Sequence, residues 1–221
     1  MKKAYQSVLL LSVLATNMGL TGCIDLATTK SLASTQQHVF KSKAQVFVMR
    51  GGLGGLFSKG MNRLQSRLEK DYNIHAESTV WYKQTELSSY IIKNYGTKTL
   101  PGPIVLAGHS LGANDQIKVA TALDKAHIPV ALLIIVDATS PRKVPPNVKQ
   151  VLNIYKPSYV PIFKGLEVVA MDPTRTKVEN INATTVPNCS VNHFNIEKHP
   201  YMQTLMINHI KTAIHYDEKS H

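Results

Sequence analysis

Residues 44–50, AQVFVMR, are apolar on both alternating sets of positions and run straight into GGLGG at 51–55. Strands that are apolar on both faces belong in a sheet covered on both sides. Helical spacing follows, with Met61, Leu64 and Leu68 on one stripe. The alternation continues with a strand over 76–82, a helix over 87–95 and a strand in IVLAG at 104–108. A helix over 111–126 has Ile117, Ala120 and Leu123 as its inner positions. ALLIIVD at 131–137 and QVLNIY at 150–155 read as further strands, and LEVVAM at 166–171 is another apolar run. At the end, Met202, Leu205, Met206, Ile210, Ala213 and Ile214 share one helical stripe. This order predicts an α/β domain, a mostly parallel sheet between two helical layers. In such sheets ligands sit beyond the carboxyl ends of the strands, which points to residues 51–55, Ser110 and Asp137.

Before residue 44 the pattern changes. Lys2 and Lys3 precede a short apolar run at 8–15, which is the layout of a signal peptide. A membrane-spanning helix needs about 20 apolar residues, so this run is too short for one. LTGC at 20–23 resembles the lipobox of bacterial lipoproteins, in which cleavage precedes the cysteine and its sulfur is lipidated. The expectation is a signal peptide over 1–22, then lipidated Cys23 and a tether up to residue 43, then one domain over 44–221. The tether is rich in Ser, Thr, Lys and Gln and would span about 25 Å as a flexible chain. Ile24 follows Cys23, so the aspartate that retains some lipoproteins at the inner membrane is absent. The expected location is the cell envelope, at the outer membrane where the cell has one. Cys189 is the other cysteine, and lipid on Cys23 rules out a disulfide between them.

The full chain carries a net charge of +11, which becomes +9 once residues 1–22 and their two lysines are removed. The lysines are scattered and no nucleic-acid motif is present, so no nucleic-acid partner is expected. The charge reads as a solvated surface with some attraction to anionic membranes.

PIVLAGHSLGAND at 103–115 places Ser110 between an apolar strand and a helix, with Gly108 and Gly112 on either side. A glycine–serine–glycine pattern alone is weak, but a buried strand before it and a helix after it are what a nucleophile elbow requires. The turn raises the serine oxygen above the sheet edge. It also aims the Leu111 N–H and the helix N-terminus at developing negative charge. A serine hydroxyl needs a base, and the base needs an orienting acid, in the chain order serine, acid, histidine. Of nine histidines, His193 in the polar loop SVNHFNI is the favoured base, with His199 as the alternative. Asp137 at the end of 131–137 is the favoured acid, and Asp172 after LEVVAM stays open. A second oxyanion donor is expected from Gly52 and Leu53 in RGGLGG. That loop lacks the spacing of a phosphate-binding loop, and no metal-binding motif stands out, so neither cofactor nor metal is expected.

VFVMRGGLGG, GHSLGA, VDAT and VNHFNI together resemble a small bacterial α/β-hydrolase of the lipase, esterase and thioesterase-domain type, over about 44–214. The chain departs from that pattern in two ways: the tether leaves no room for the first two strands, so a reduced fold is expected, and Pro141, Pro145 and Pro146 within 138–149 oppose the helical lid that thioesterases and many lipases place there. The resemblance implies Ser110, His193 and Asp137 as catalytic residues and an acyl ester or lipid as substrate. An acid 27 residues after the serine is similar to thioesterase domains, although their carrier-protein setting is missing. An acyltransferase or thioesterase using the same residues is the alternative, and a non-catalytic binding lipoprotein is a further one.

Overall fold

The chain runs β1 (Gln45–Arg50), α1 (Lys59–Tyr72), β2 (His75–Val80), α2 (Gln84–Asn94), β3 (Ile104–His109), α3 (Leu111–Lys125), β4 (Val130–Val136), β5 (Val148–Tyr155), β6 (Lys177–Asn182) and α4 (Pro200–Glu218). This is a computed structural model, and the residues it describes are 43–52 and 58–218. Signal peptide, Cys23, the tether up to residue 42 and Leu53 lie outside the described residues.

The six strands form one sheet in the order β2-β1-β3-β4-β5-β6, and every neighbouring pair is parallel. Side chains alternate between the faces of a strand, and β1 distributes its own accordingly. Val46 and Val48 face one layer, with Met61, Leu64 and Leu68 of α1 and Met202, Met206 and Ile210 of α4. Phe47 and Met49 face the other, with Leu87 and Ile91 of α2 and Ile117, Ala120 and Leu123 of α3. These side chains are at most 1% exposed, so each large one contributes about 1.5–3 kcal/mol of burial. The sheet therefore sits between two helical layers, as the double-sided apolar strands predict.

Strand order reverses beside β1: the chain steps outward to β2 and returns to β3 on the opposite side. A crevice opens between the carboxyl ends of strands that diverge in this way. Gly51 and Ser110 are the residues that follow β1 and β3 there.

The sixth strand departs from expectation. LEVVAM is not a strand; its only sheet-like contact among the described residues is an isolated bridge between Val144 and Ala170. Leu166, Val169 and Met171 point to solvent. The edge position is taken by the polar segment KVENIN, which pairs with β5 along one side only. An edge strand buries little, and its Lys177 and Glu179 discourage pairing with another sheet. Between β4 and β5, and between β5 and β6, no described residue is in an α-helix. The second connection carries only a 3₁₀ turn, Pro161–Phe163, and neither forms a helical lid.

Candidate active site

Ser110 joins β3 to α3 with φ 58° and ψ −124°, a conformation costing a non-glycine residue on the order of 1–3 kcal/mol. The bend leaves no space for side chains on its flanks. A Cβ on Gly108 would stand 2.5 Å from the Gly112 carbonyl oxygen, and one on Gly112 2.5 Å from that of Met49. Helix α3 then packs against β1 and β3, with the Gln116 side-chain amide donating to the carbonyls of Phe47 and Ala107.

Asp137 follows β4, also at positive φ, and its backbone N–H donates to Ile154 at 2.8 Å. Its side chain is 2% exposed. One carboxylate oxygen accepts the Lys156 N–H at 3.0 Å, and the other accepts the His193 Nδ1–H at 2.7 Å. A carboxylate only accepts, which fixes the proton on Nδ1 and leaves Nε2 as acceptor. The Ser110 hydroxyl lies 2.9 Å from that Nε2. Ser110, His193 and Asp137 thus stand in one hydrogen-bonded line, although they come from three separate loops. His199, by contrast, closes the turn just before α4, with its carbonyl accepting the Gln203 N–H. Asp172 spends one carboxylate oxygen on Thr174, accepting both its N–H and its hydroxyl, and those bonds hold its carboxyl below the usual range. The carboxylate that meets the His193 ring is that of Asp137, and Asp172 lies elsewhere, bonded to Thr174.

Leu111 opens α3, where the first amides have no partner within the helix. Gly52 faces it: a Cβ there would lie 3.3 Å from Leu111 Cδ1. The Gly51 N–H is already committed, donating to Ser58 Oγ at 3.0 Å.

Sequence reasoning missed several residues around this line. Phe163 stacks on the His193 ring at 4.1 Å and 28°, and Phe194 meets it edge-on at 5.4 Å. Lys164, Ile162, Leu166 and Phe194 line a cleft of about 640 Å³ with Ser110 and His193 on its floor. His109 and Ser58 complete the floor, with His109 Nδ1 accepting from Ser58 at 2.8 Å and Nε2 donating to the His193 carbonyl at 2.9 Å. Burial, and secondarily the neighbouring His193, push the His109 pKa down to about 3. Its place inside GHSLGA was the available signal; Ser58, 51 residues earlier, gave none. Among the described residues no group of three or more His, Cys, Asp or Glu side chains is placed to hold a metal ion.

No family model matches the chain, and no curated protein does. Solved structures do resemble it. An esterase of Pyrobaculum calidifontis is 12% identical over 92% of this chain and 93% of its own, with a TM-score of 0.53. An arylesterase is 12% identical over 79% of this chain and 78% of its own, with a TM-score of 0.51. The fold is an α/β-hydrolase fold. At such identities the likeness extends to the fold alone, and any activity has to be argued from the site.

Proposed function

We propose that this chain is a membrane-tethered serine hydrolase that cleaves acyl esters through an acyl-enzyme. The observation that carries the reading is the unbroken line from Ser110 Oγ through His193 to Asp137 on the floor of an apolar cleft. Ser110 Oγ attacks the ester carbonyl while its proton passes to His193 Nε2. Asp137 holds the imidazolium that results. The oxyanion is stabilised by the Leu111 N–H and by the Gly52–Leu53 backbone. Collapse breaks the bond to the alcohol, which leaves with the proton from His193. Water, deprotonated by the same nitrogen, then attacks the acyl-enzyme, and Ser110 is regenerated as the carboxylic acid departs.

Ile162, Phe163, Leu166 and Phe194 offer an acyl chain an apolar wall, and Lys164 brings a positive charge to the lining. Among the described residues no helix covers the cleft, an arrangement that leaves water a path to the acyl-enzyme and supports hydrolysis over transfer to another alcohol. Thioesters of coenzyme A and carrier proteins are cytosolic, so an exported enzyme tethered at Cys23 meets oxygen esters and acyl lipids instead. The deciding experiment pairs a fluorophosphonate probe with a chain-length series of p-nitrophenyl esters and acyl thioesters. The wild type should take up the probe and hydrolyse the oxygen esters, and Ser110→Ala should do neither. Equal labelling of the two proteins removes the central claim, and a folded wild type that takes no label supports a binding module instead.

A further inference from the structure

Ser58 and His109 reach the same cleft as Ser110 and have no part in the chemistry above. They resemble a second serine–histidine pair, but the directions of their hydrogen bonds exclude a second nucleophile. The His193 carbonyl can only accept, so His109 Nε2 carries the ring proton. A histidine pushed down to about 3 holds no second proton near neutrality, so Nδ1 is an acceptor. Ser58 therefore donates its hydroxyl proton to Nδ1, and its oxygen accepts the Gly51 N–H. So weak a base does not activate a hydroxyl near pH 7.

These three bonds form a connection instead. It starts at Gly51, next to Gly52 in the oxyanion loop, and ends on the backbone of His193. We propose that Ser58 and His109 are positioning residues that lock the oxyanion loop and the base loop of the Ser110 site into one register. The order of protons along the chain is fixed: Gly51 N–H to Ser58, Ser58 O–H to His109 Nδ1, and His109 Nε2–H to the His193 carbonyl. A neutral link suits the place, because the two imidazole rings are only 5.0 Å apart and His193 gains positive charge when it takes the serine proton. A charged neighbour at that distance would oppose the transfer. Both side chains are almost wholly buried, His109 and Ser58 at 1% exposure each, so water does not readily replace either bond. This inference rests on Ser110 being the nucleophile.

The two ends of the link are separable by substitution. His109→Gln keeps a donor where Nε2 stands, His109→Asn keeps an acceptor where Nδ1 stands, and Ser58→Ala releases Gly51. Rates on p-nitrophenyl butyrate are divided by the number of sites titrated with fluorophosphonate. Per site, Ser58→Ala and His109→Asn should lower kcat by about 10²-fold with KM nearly unchanged, the size expected of a misplacement on the order of 1 Å. His109→Gln keeps the bond to the base loop but removes the acceptor for Ser58, so it should lose about as much per site as Ser58→Ala, because a break at either end severs the connection. Nitrogen-15 spectra of the wild type should show His109 as the neutral Nε2–H form from about pH 5 to about pH 9. Per-site rates within about threefold of wild type in Ser58→Ala and His109→Asn would overturn the proposal. So would a loss confined to the number of titratable sites, or a doubly protonated His109 near pH 6. A wild type that takes no label defeats the Ser110 reading and this inference with it, whereas full labelling with unaltered per-site rates defeats this inference alone.

Discussion

Glu197→Gln should make the protein more heat-stable at alkaline pH and leave it nearly unchanged in acid. Glu197 lies in the turn Ile196–Lys198, with no exposed surface. One carboxylate oxygen accepts the Gly60 N–H at 3.4 Å, and the other is buried with no hydrogen-bond partner. Burial raises its pKa from 4.5 to about 7, against the opposing pull of Lys198, whose Nζ is 3.7 Å away. Between those two values the folded state keeps a proton that the unfolded state has released, so stability falls as pH rises through that window and then levels off. A rise from 4.5 to about 7 corresponds to roughly 3 kcal/mol lost by about pH 8, at 1.36 kcal/mol per pH unit. For a domain of this size each kcal/mol moves Tm by about 2–4 °C, so the gap between variant and wild type should open by about 6–12 °C from pH 4 to pH 8. Thermal melts followed by circular dichroism at several pH values measure it. Other carboxylates and histidines titrate in both proteins and cancel in the difference. A gap that stays constant with pH would refute the reasoning, because it would mean that Glu197 titrates alike in the folded and unfolded chains.

Asp137→Asn should lower kcat by roughly 10⁴ with the fold intact, since the imidazole loses its tautomer control, whereas Asp172→Asn should cost little; steady-state kinetics on the two variants decide between the carboxylates. Water-soluble short-chain esters should be turned over with no jump in rate as substrate passes its solubility limit, because no helical lid covers the cleft among the described residues. A clear step in that rate curve would instead make a mobile cover of the segment from Pro157 onward. Cys23→Ser should release the protein into the soluble fraction and abolish its labelling by metabolic palmitate, and unchanged membrane association would point to an uncleaved signal or the basic surface.

How far the sequence carried depended on burial. The central positions of strands β1, β3 and β4 are apolar because both their faces are covered, and each strand was legible for that reason. Strand β6 is covered along one side only, so its sequence KVENIN carries little apolar signal, while LEVVAM, with Val168 buried but Leu166, Val169 and Met171 in solvent, carries a misleading one. Ser110 could be placed because its elbow is a local motif. His193 and Asp137 needed chain order as a second argument, and their 2.7 Å contact joins positions 56 residues apart. Contacts made by ordinary residues across long separations left no trace at all: neither the stacking of Phe163 on His193 nor the bond from Ser58 to His109 has a local pattern.

The connection after β5 is fastened at its base and exposed at its tip. The Lys156 N–H donates to Asp137, the Ser158 N–H to the Lys164 carbonyl, and Asn153 and Asn180 hold the backbone of Leu166 and Val168. Tyr159, Val160 and Ile162 stand in solvent between those fastenings and make no contribution to the core. Selection, in nature or in a directed-evolution library, can therefore rewrite the tip almost without cost to folding, provided Phe163 stays on the histidine. Under the proposed function, closely related chains would then diverge in the substrates they accept at positions 162 and 164, which line the cleft, while sharing one sheet and the serine at its elbow.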